Sequence, residues 1–304
     1  MAILITGAAG QFGRRTTELL MQQVDPAQLI LTTRNPDRLA GAAARGAQVR
    51  YADFDDAASL GPAFVGVTKM LLISTARVGG RVVQHQRAID AARAAGVGHI
   101  VYTSSVGISP DNPAIVIADH MRTEALIEAS GAAWTFLRDS QYAEAVATAI
   151  APRAAATGQW VASAEDGRVG FVSRDDCCAC AAAVLSGAGH ENKVYTLTGP
   201  ELLSFRQAAA LTAEIAGKPV DYVRVTDDDM MVMFDSLGVP RKPVDDQIVA
   251  DIPWCSEDMV TYERSIREGW FDVLTDDVKT LTGHAPRSLR QVFEAHRDLI
   301  AGRG

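Results

Sequence analysis

Along the first half of the chain, short runs of apolar, β-favouring residues alternate with longer stretches whose apolar positions recur at helical spacing. Ala2-Ile3-Leu4-Ile5, 29–33, 49–53, 67–73, 100–103 and 134–138 read as strands. Helical patterns follow the first of these at 14–20, the fourth at 82–95 and the fifth at 114–129. Strand and helix in regular alternation predict a parallel, doubly wound sheet of the α/β class.

From about residue 150 the regularity weakens. Residues 159–161 and 169–172 read as short strands, and Ser173 with Asp176 has capping-box spacing for a helix that carries Cys177, Cys178 and Cys180. A strand is expected at 193–198, then a helix at 204–216 stopped by Gly217 and Pro219, then a strand at 220–225. Thr226 with Asp229 repeats the capping-box spacing ahead of Met230-Met231-Val232-Met233-Phe234, so the aspartate run at 227–229 reads as a helix start. The expected organisation is a doubly wound α/β domain over 1–150 and a smaller C-terminal α+β lobe over 151–304, partly interleaved with it.

The first strand runs directly into Thr6-Gly7-Ala8-Ala9-Gly10-Gln11-Phe12-Gly13. Gly7 permits a tight exit from the strand, Gly10 lets the backbone approach a pyrophosphate, and Gly13 lets the helix lie close on the strand. The free N–H groups and positive dipole end of that helix then face the phosphates. The second strand ends on Arg34, where a carboxylate would bind a ribose 2′-hydroxyl and an arginine accommodates a 2′-phosphate. NADP, rather than NAD, is the expected cofactor, with Arg14 and Arg38 as added positive charge.

Ligands on such a sheet lie beyond the carboxyl ends of the strands. Asp53 after the third strand, Ser74, Thr75 and Ala76 after the fourth, and Thr103 and Ser104 at the end of the fifth therefore join the candidate site. His120 and Glu124, four apart, share one face of the 114–129 helix, and Tyr142 lies in the loop after the sixth strand. His120 and Tyr142 are the candidate catalytic groups, since one titrates near neutrality and the other can donate a proton.

Composition narrows the partners. With 304 residues the chain is long enough for one large or two smaller domains, and 48% hydrophobic with 22% charged residues is ordinary for a globular protein. A net charge of −8 without any basic run argues against nucleic acid. No apolar stretch reaches the roughly 20 residues of a membrane span, and the N-terminal apolar run belongs to a strand rather than a signal peptide. The four cysteines form neither a disulfide framework nor a metal-ligand spacing, so the expectation is a cytoplasmic protein without a metal site, its thiols facing the core. A small-molecule substrate is the expected partner, and a homodimer is one candidate assembly.

The glycine loop, Thr33-Arg34-Asn35-Pro36, the segment from His120 to Tyr142, Thr198-Gly199-Pro200-Glu201 and the stretch 283–289 together resemble the atypical short-chain dehydrogenase/reductases of the NmrA-like group. The nearest likeness is to its NADPH-dependent quinone oxidoreductase and triphenylmethane reductase branch. The resemblance implies a Rossmann domain with a small substrate lobe, pyrophosphate held at Gly7, Gly10, Gln11, Phe12 and Gly13, and 2′-phosphate at Arg34. It also implies adenine at Asp53, and ribose and nicotinamide along 74–76 and Thr103. None of the five lysines lies four residues after a tyrosine, so the Tyr-x-x-x-Lys pair of ordinary short-chain dehydrogenases is missing. Where the branch has a lysine after its Thr-Glu pair this chain has Ala125, and where it has an asparagine after Leu-Arg it has Asp139. The implied activity is NADPH-dependent hydride transfer to a conjugated or aromatic acceptor such as a quinone. A ketone/alcohol dehydrogenase and a non-catalytic NADP-binding sensor are the alternatives.

Overall fold

The computed structural model describes residues 2–244 and 254–303. Its strands in chain order are β1 (Ile3–Ile5), β2 (Leu29–Thr33), β3 (Gln48–Tyr51), β4 (Lys69–Leu72), β5 (His99–Ser105), β6 (Ala133–Asp139), β7 (Gln159–Ala162), β8 (Arg168–Val169), β9 (Lys193–Leu197), β10 (Leu203–Ser204) and β11 (Asp221–Arg224). Seven of them form one parallel sheet in the order β3-β2-β1-β4-β5-β6-β9. The chain reverses its direction of travel across the sheet between β1 and β4, and a crevice opens at that point beyond the carboxyl ends of the strands.

Side chains alternate across the sheet with the strand period of two. Ile3, Ile5, Leu31, Leu71, Val101 and Leu137 enter a core completed by the helices Gln11–Leu20 and Arg174–Ser186. Leu4, Ile30, Met70, Ile100, Tyr102 and Phe136 enter the core on the opposite face, under Ala57–Phe64 and Arg81–Ala94. The cysteine helix is thus part of the sheet layer: Cys177, Cys178 and Cys180 are unpaired and fully buried, and the Cys178 thiol meets the Phe12 carbonyl at 3.5 Å. Buried Lys69 caps the far end of that helix, its ammonium donating to the carbonyls of Val184 and Gly187 at 3.1 and 3.0 Å.

A separate core around Trp160, Phe171, Phe205 and Phe293 holds the C-terminal elements together. There the helix Phe205–Ala216 starts on a Ser204–Gln207 capping box and ends on left-handed Gly217. Thr226 and Asp229 likewise form a box. The expected Ser173–Asp176 box does not form. Ser173 caps through the Asp175 N–H, while the Asp176 carboxylate accepts the Arg287 N–H at 2.7 Å and ties down the C-terminal tail. The strand expected over 169–172 pairs only at its start, because Val172 leaves β10 to bridge Tyr142.

The first turn of the sheet is the tightest point. Gly7 adopts φ +57°, and a Cβ at Gly13 would stand 2.6 Å from the Gly7 carbonyl oxygen and 2.7 Å from Ala8 Cα. Both neighbours are backbone and cannot rotate away. Gly13→Ala is therefore expected to destabilise the protein by about 1–3 kcal/mol, the usual cost of overpacking, and to lower the midpoint of thermal unfolding. An unchanged midpoint would show that the helix can lift off the strand without cost.

Candidate functional site

A cleft of about 900 Å³ opens at the carboxyl ends of β1, β2 and β4. Gly7, Gly10 and Gln11 form its floor, Arg34 and Asp53 one side, and Ser74, Thr75 and Ala76 the other. Gly10 is the N-cap of the Gln11–Leu20 helix and supplies no side-chain cap. The orphan N–H groups of that first turn, which a side chain would otherwise satisfy, are left to a ligand or solvent. A Cβ at Gly10 would lie 3.2 Å from the Gly7 carbonyl, so the loop is kept bare where a phosphate needs close approach. Arg14, Arg34 and Arg38 all line the cleft and give it positive charge within an acidic protein. The residues present therefore fit a phosphorylated dinucleotide.

The remaining sequence-derived site residues fall into supporting positions. Thr6 is buried, and its hydroxyl donates to the Leu71 carbonyl and accepts the Ile73 N–H, which fastens β1 to the exit of β4. Phe12 is buried with its ring 6.5 Å from that of Tyr142, so only its backbone is available to a phosphate. Thr103 accepts the Ser74 N–H at 2.9 Å and shapes the loop from behind. Ser104 is turned away, donating to Glu124 at 2.6 Å, and Glu124 in turn holds Arg138 through both carboxylate oxygens. Asp53 lines the cleft while its carboxylate also accepts the Asp55 N–H, so turn chemistry and site placement coincide.

Neither His120 nor Tyr142 is among the residues lining this cleft. His120 is buried with both ring nitrogens occupied, by Arg81 at 3.2 Å and by the Tyr102 hydroxyl at 2.8 Å. Burial and the Arg81 charge push its pKa well below the usual histidine value, so it is neutral at physiological pH. Its helix neighbour Glu124 takes no part. Tyr142 donates to the Asp139 carboxylate at 2.5 Å, with the Arg174 guanidinium 5.2 Å from its ring centre. Arg174 also donates to Gln11 at 2.6 Å, which links the tyrosine to the cleft floor through two side chains.

Sequence reasoning missed several residues of the cleft. Gln84 and Arg77 line it and share Asp55, by hydrogen bonds of 2.9 Å from Gln84 and 3.2 and 3.0 Å from Arg77. Pro240, Trp254 and Cys255 reach it from the C-terminal part of the chain. Arg77 simply continues the 74–76 loop, whereas no motif marks Gln84, Pro240, Trp254 or Cys255, because they are brought in by tertiary packing rather than by strand-end position.

Burial shifts several groups toward their uncharged forms. Burial raises Asp139 to about 7 against the opposing hydrogen bond from Tyr142, and it also raises Asp258 to about 6 and Glu263 to about 7. Burial lowers His85 to about 3 and His99 to about 4. Among the described residues no group of three or more His, Cys, Asp or Glu could hold a metal, and no helix is long and apolar enough to cross a membrane.

A family described as NAD(P)H-binding matches residues 7–187, which covers more than half of the chain, and the protein belongs to it. Within that class it falls in the NmrA-like group of atypical short-chain dehydrogenase/reductases, on the quinone reductase branch. It is 41% identical over 239 residues to quinone oxidoreductase 2 of Escherichia coli, covering 78% of this chain and 82% of that one. The crystal structure of that NADPH-dependent quinone oxidoreductase with NADPH superposes with a TM-score of 0.88 at 34% identity, over 96% of this chain and 99% of the other. Triphenylmethane reductase from Citrobacter sp., complexed with NADP(H), follows with a TM-score of 0.85 at 30% identity, over 97% and 100% of the two chains.

The protonation of Asp139 has a measurable consequence. Its folded pKa of about 7 lies above the unfolded value near 4, so the stability associated with the neutral acid is complete below about pH 4 and is lost as pH rises through 7. Asp139→Asn cannot ionise and escapes that loss. The variant is expected to gain on wild type between pH 5 and 8, by on the order of 2 kcal/mol at the upper end. Parallel pH–stability curves for the two proteins would refute a neutral Asp139.

Proposed function

We propose that the protein is an NADPH-dependent oxidoreductase that reduces a small conjugated or aromatic acceptor such as a quinone. The observation that carries this is the bare, arginine-lined cleft at the β1/β4 switch point, in a chain whose 41% identical relative is a quinone oxidoreductase. Gly7, Gly10 and the first-turn N–H groups of Gln11, Phe12 and Gly13 would hold the pyrophosphate, Arg34 the 2′-phosphate with Arg14 and Arg38 beside it, and Asp53 the adenine. Ser74, Thr75 and Ala76, shaped by Thr103, would line the path to the nicotinamide. When bound, the cofactor supplies a hydride, and the protein supplies orientation and exclusion of water.

The absence of a Tyr-x-x-x-Lys pair agrees with an acceptor of this kind. A quinone that takes a hydride becomes a conjugated anion, which collects its proton from solvent without a dedicated acid. Neutral His120, enclosed by Arg81 and Tyr102, serves better as a fixed part of the scaffold than as a proton relay. Tyr142 is the remaining candidate donor, within reach of Gln11 through Arg174. Four free cysteines, all buried, support a reducing compartment and hence the cytoplasm.

Purified protein mixed with NADPH and a panel of quinones, cationic dyes and ketones is expected to consume the reduced nicotinamide absorbance with quinones. Tight NADPH binding without turnover on any acceptor would point to a sensor instead. Arg34→Ala is expected to raise KM for NADPH about tenfold, equivalent to about 1.4 kcal/mol, while leaving KM for NADH unchanged. Equal effects on both cofactors would remove Arg34 from the 2′-phosphate site.

A further inference from the structure

Behind the 74–76 wall of the cleft lies a buried polar chain that the cofactor site itself does not use. The Thr75 N–H donates to His85 Nε2 at 3.2 Å, and His85 Nδ1 lies 2.9 Å from the Thr123 hydroxyl. Thr123 donates its single hydroxyl proton to the Asp119 carbonyl at 2.9 Å. The Tyr102 hydroxyl lies 2.8 Å from His120 Nδ1, and His120 Nε2 meets Arg81 at 3.2 Å.

The donor inventory fixes the protons of both histidines and of Thr123. His85 Nε2 accepts a backbone N–H, so it carries no proton, and the neutral ring must hold its proton on Nδ1 and donate to Thr123. A guanidinium can only donate, so His120 Nε2 is bare and its Nδ1–H donates to the Tyr102 oxygen. Thr123, with its proton committed to Asp119, accepts from His85. From Thr75 through His85 and Thr123 to Asp119 each atom has one role, and no alternative pattern satisfies all of them. A network that is satisfied in only one way holds its members rigidly.

The same helix, Ile115–Ala129, also grips the far end of the loop. The Asp119 carboxylate accepts the Gly79 N–H at 2.6 Å, where Gly79 has φ +80°, and lies 3.6 Å from the Arg81 guanidinium. On the cleft side the Thr75 hydroxyl donates to Gln84 at 2.7 Å. The wall is therefore fastened to the protein interior at Thr75 and at Gly79, and His85 is the only side chain among the described residues that takes the Thr75 N–H.

We infer that His85 is a positioning residue for the dinucleotide: through its hydrogen bond to the Thr75 N–H it sets the 74–76 wall at the spacing the cofactor requires. The inference rests on the NADPH reading of the cleft. Leucine at this position keeps the bulk and loses both hydrogen bonds, whereas glutamine can accept the Thr75 N–H through its amide oxygen and donate to Thr123 through its amide nitrogen.

Full-length wild type, His85→Leu and His85→Gln are compared by NADPH titration, by steady-state kinetics with a quinone, and by hydrogen exchange at the Thr75 amide. His85→Leu is expected to weaken NADPH binding about tenfold and raise its KM to match, to leave KM for the quinone within about twofold, and to unprotect the Thr75 amide. His85→Gln should restore protection and affinity to within about twofold of wild type. Should His85→Leu fail to fold, Thr123→Val breaks the chain one step away and is expected to weaken NADPH binding in the same direction. Wild-type NADPH affinity in the leucine variant, or equal losses in both His85 variants, would overturn the positioning role. Failure of wild type itself to bind NADPH would instead overturn the cofactor reading on which it stands.

Discussion

The fold depends on one close approach: the first helix lies so near the turn leaving β1 that nothing larger than hydrogen fits at Gly13. That contact sets where the helix starts, and therefore where its unpaired N–H groups point. It also sets the height at which the Arg174–Ser186 helix can pack against the first, through the Cys178 thiol on the Phe12 carbonyl and the 3.3 Å contact of Arg15 with Asp175. A helix from the second half of the chain thus completes the layer begun by the first twenty residues.

Much of this was legible in the sequence because it is local. The glycine spacing, the position of Arg34 at a strand end and the capping boxes at Ser204 and Thr226 are each written within a few consecutive residues. Strand-end position brought Asp53 and 74–76 to the cleft for the same reason. What the pattern could not convey is which way a side chain turns once it arrives. Thr6 and Ser104 sit where ligand contacts are expected, yet both spend their hydroxyls on neighbouring elements.

His120 shows the same limit more sharply. Helical spacing joins it to Glu124, but its partners, Arg81 and Tyr102, come from another helix and a strand. No periodicity within one element carries that information. Gln84, Trp254 and Cys255 were invisible on the same ground, since their place at the cleft is a property of how separate elements meet.

The interior of this protein is stocked with titratable side chains, and six of them are pushed toward their uncharged forms, from both directions. Asp139, Asp258 and Glu263 retain protons that water would take from them, and His85, His99 and His120 refuse protons that water would give them. At mildly acid pH, about 5 to 6, unfolding would release protons from the acids while the histidines take them up. The two flows oppose each other, so these six groups together exchange few protons with the buffer when the chain comes apart there. Burial of mixed acids and histidines acts as an internal proton balance, and it flattens their combined response to acidity even though each member taken singly is strongly pH-dependent.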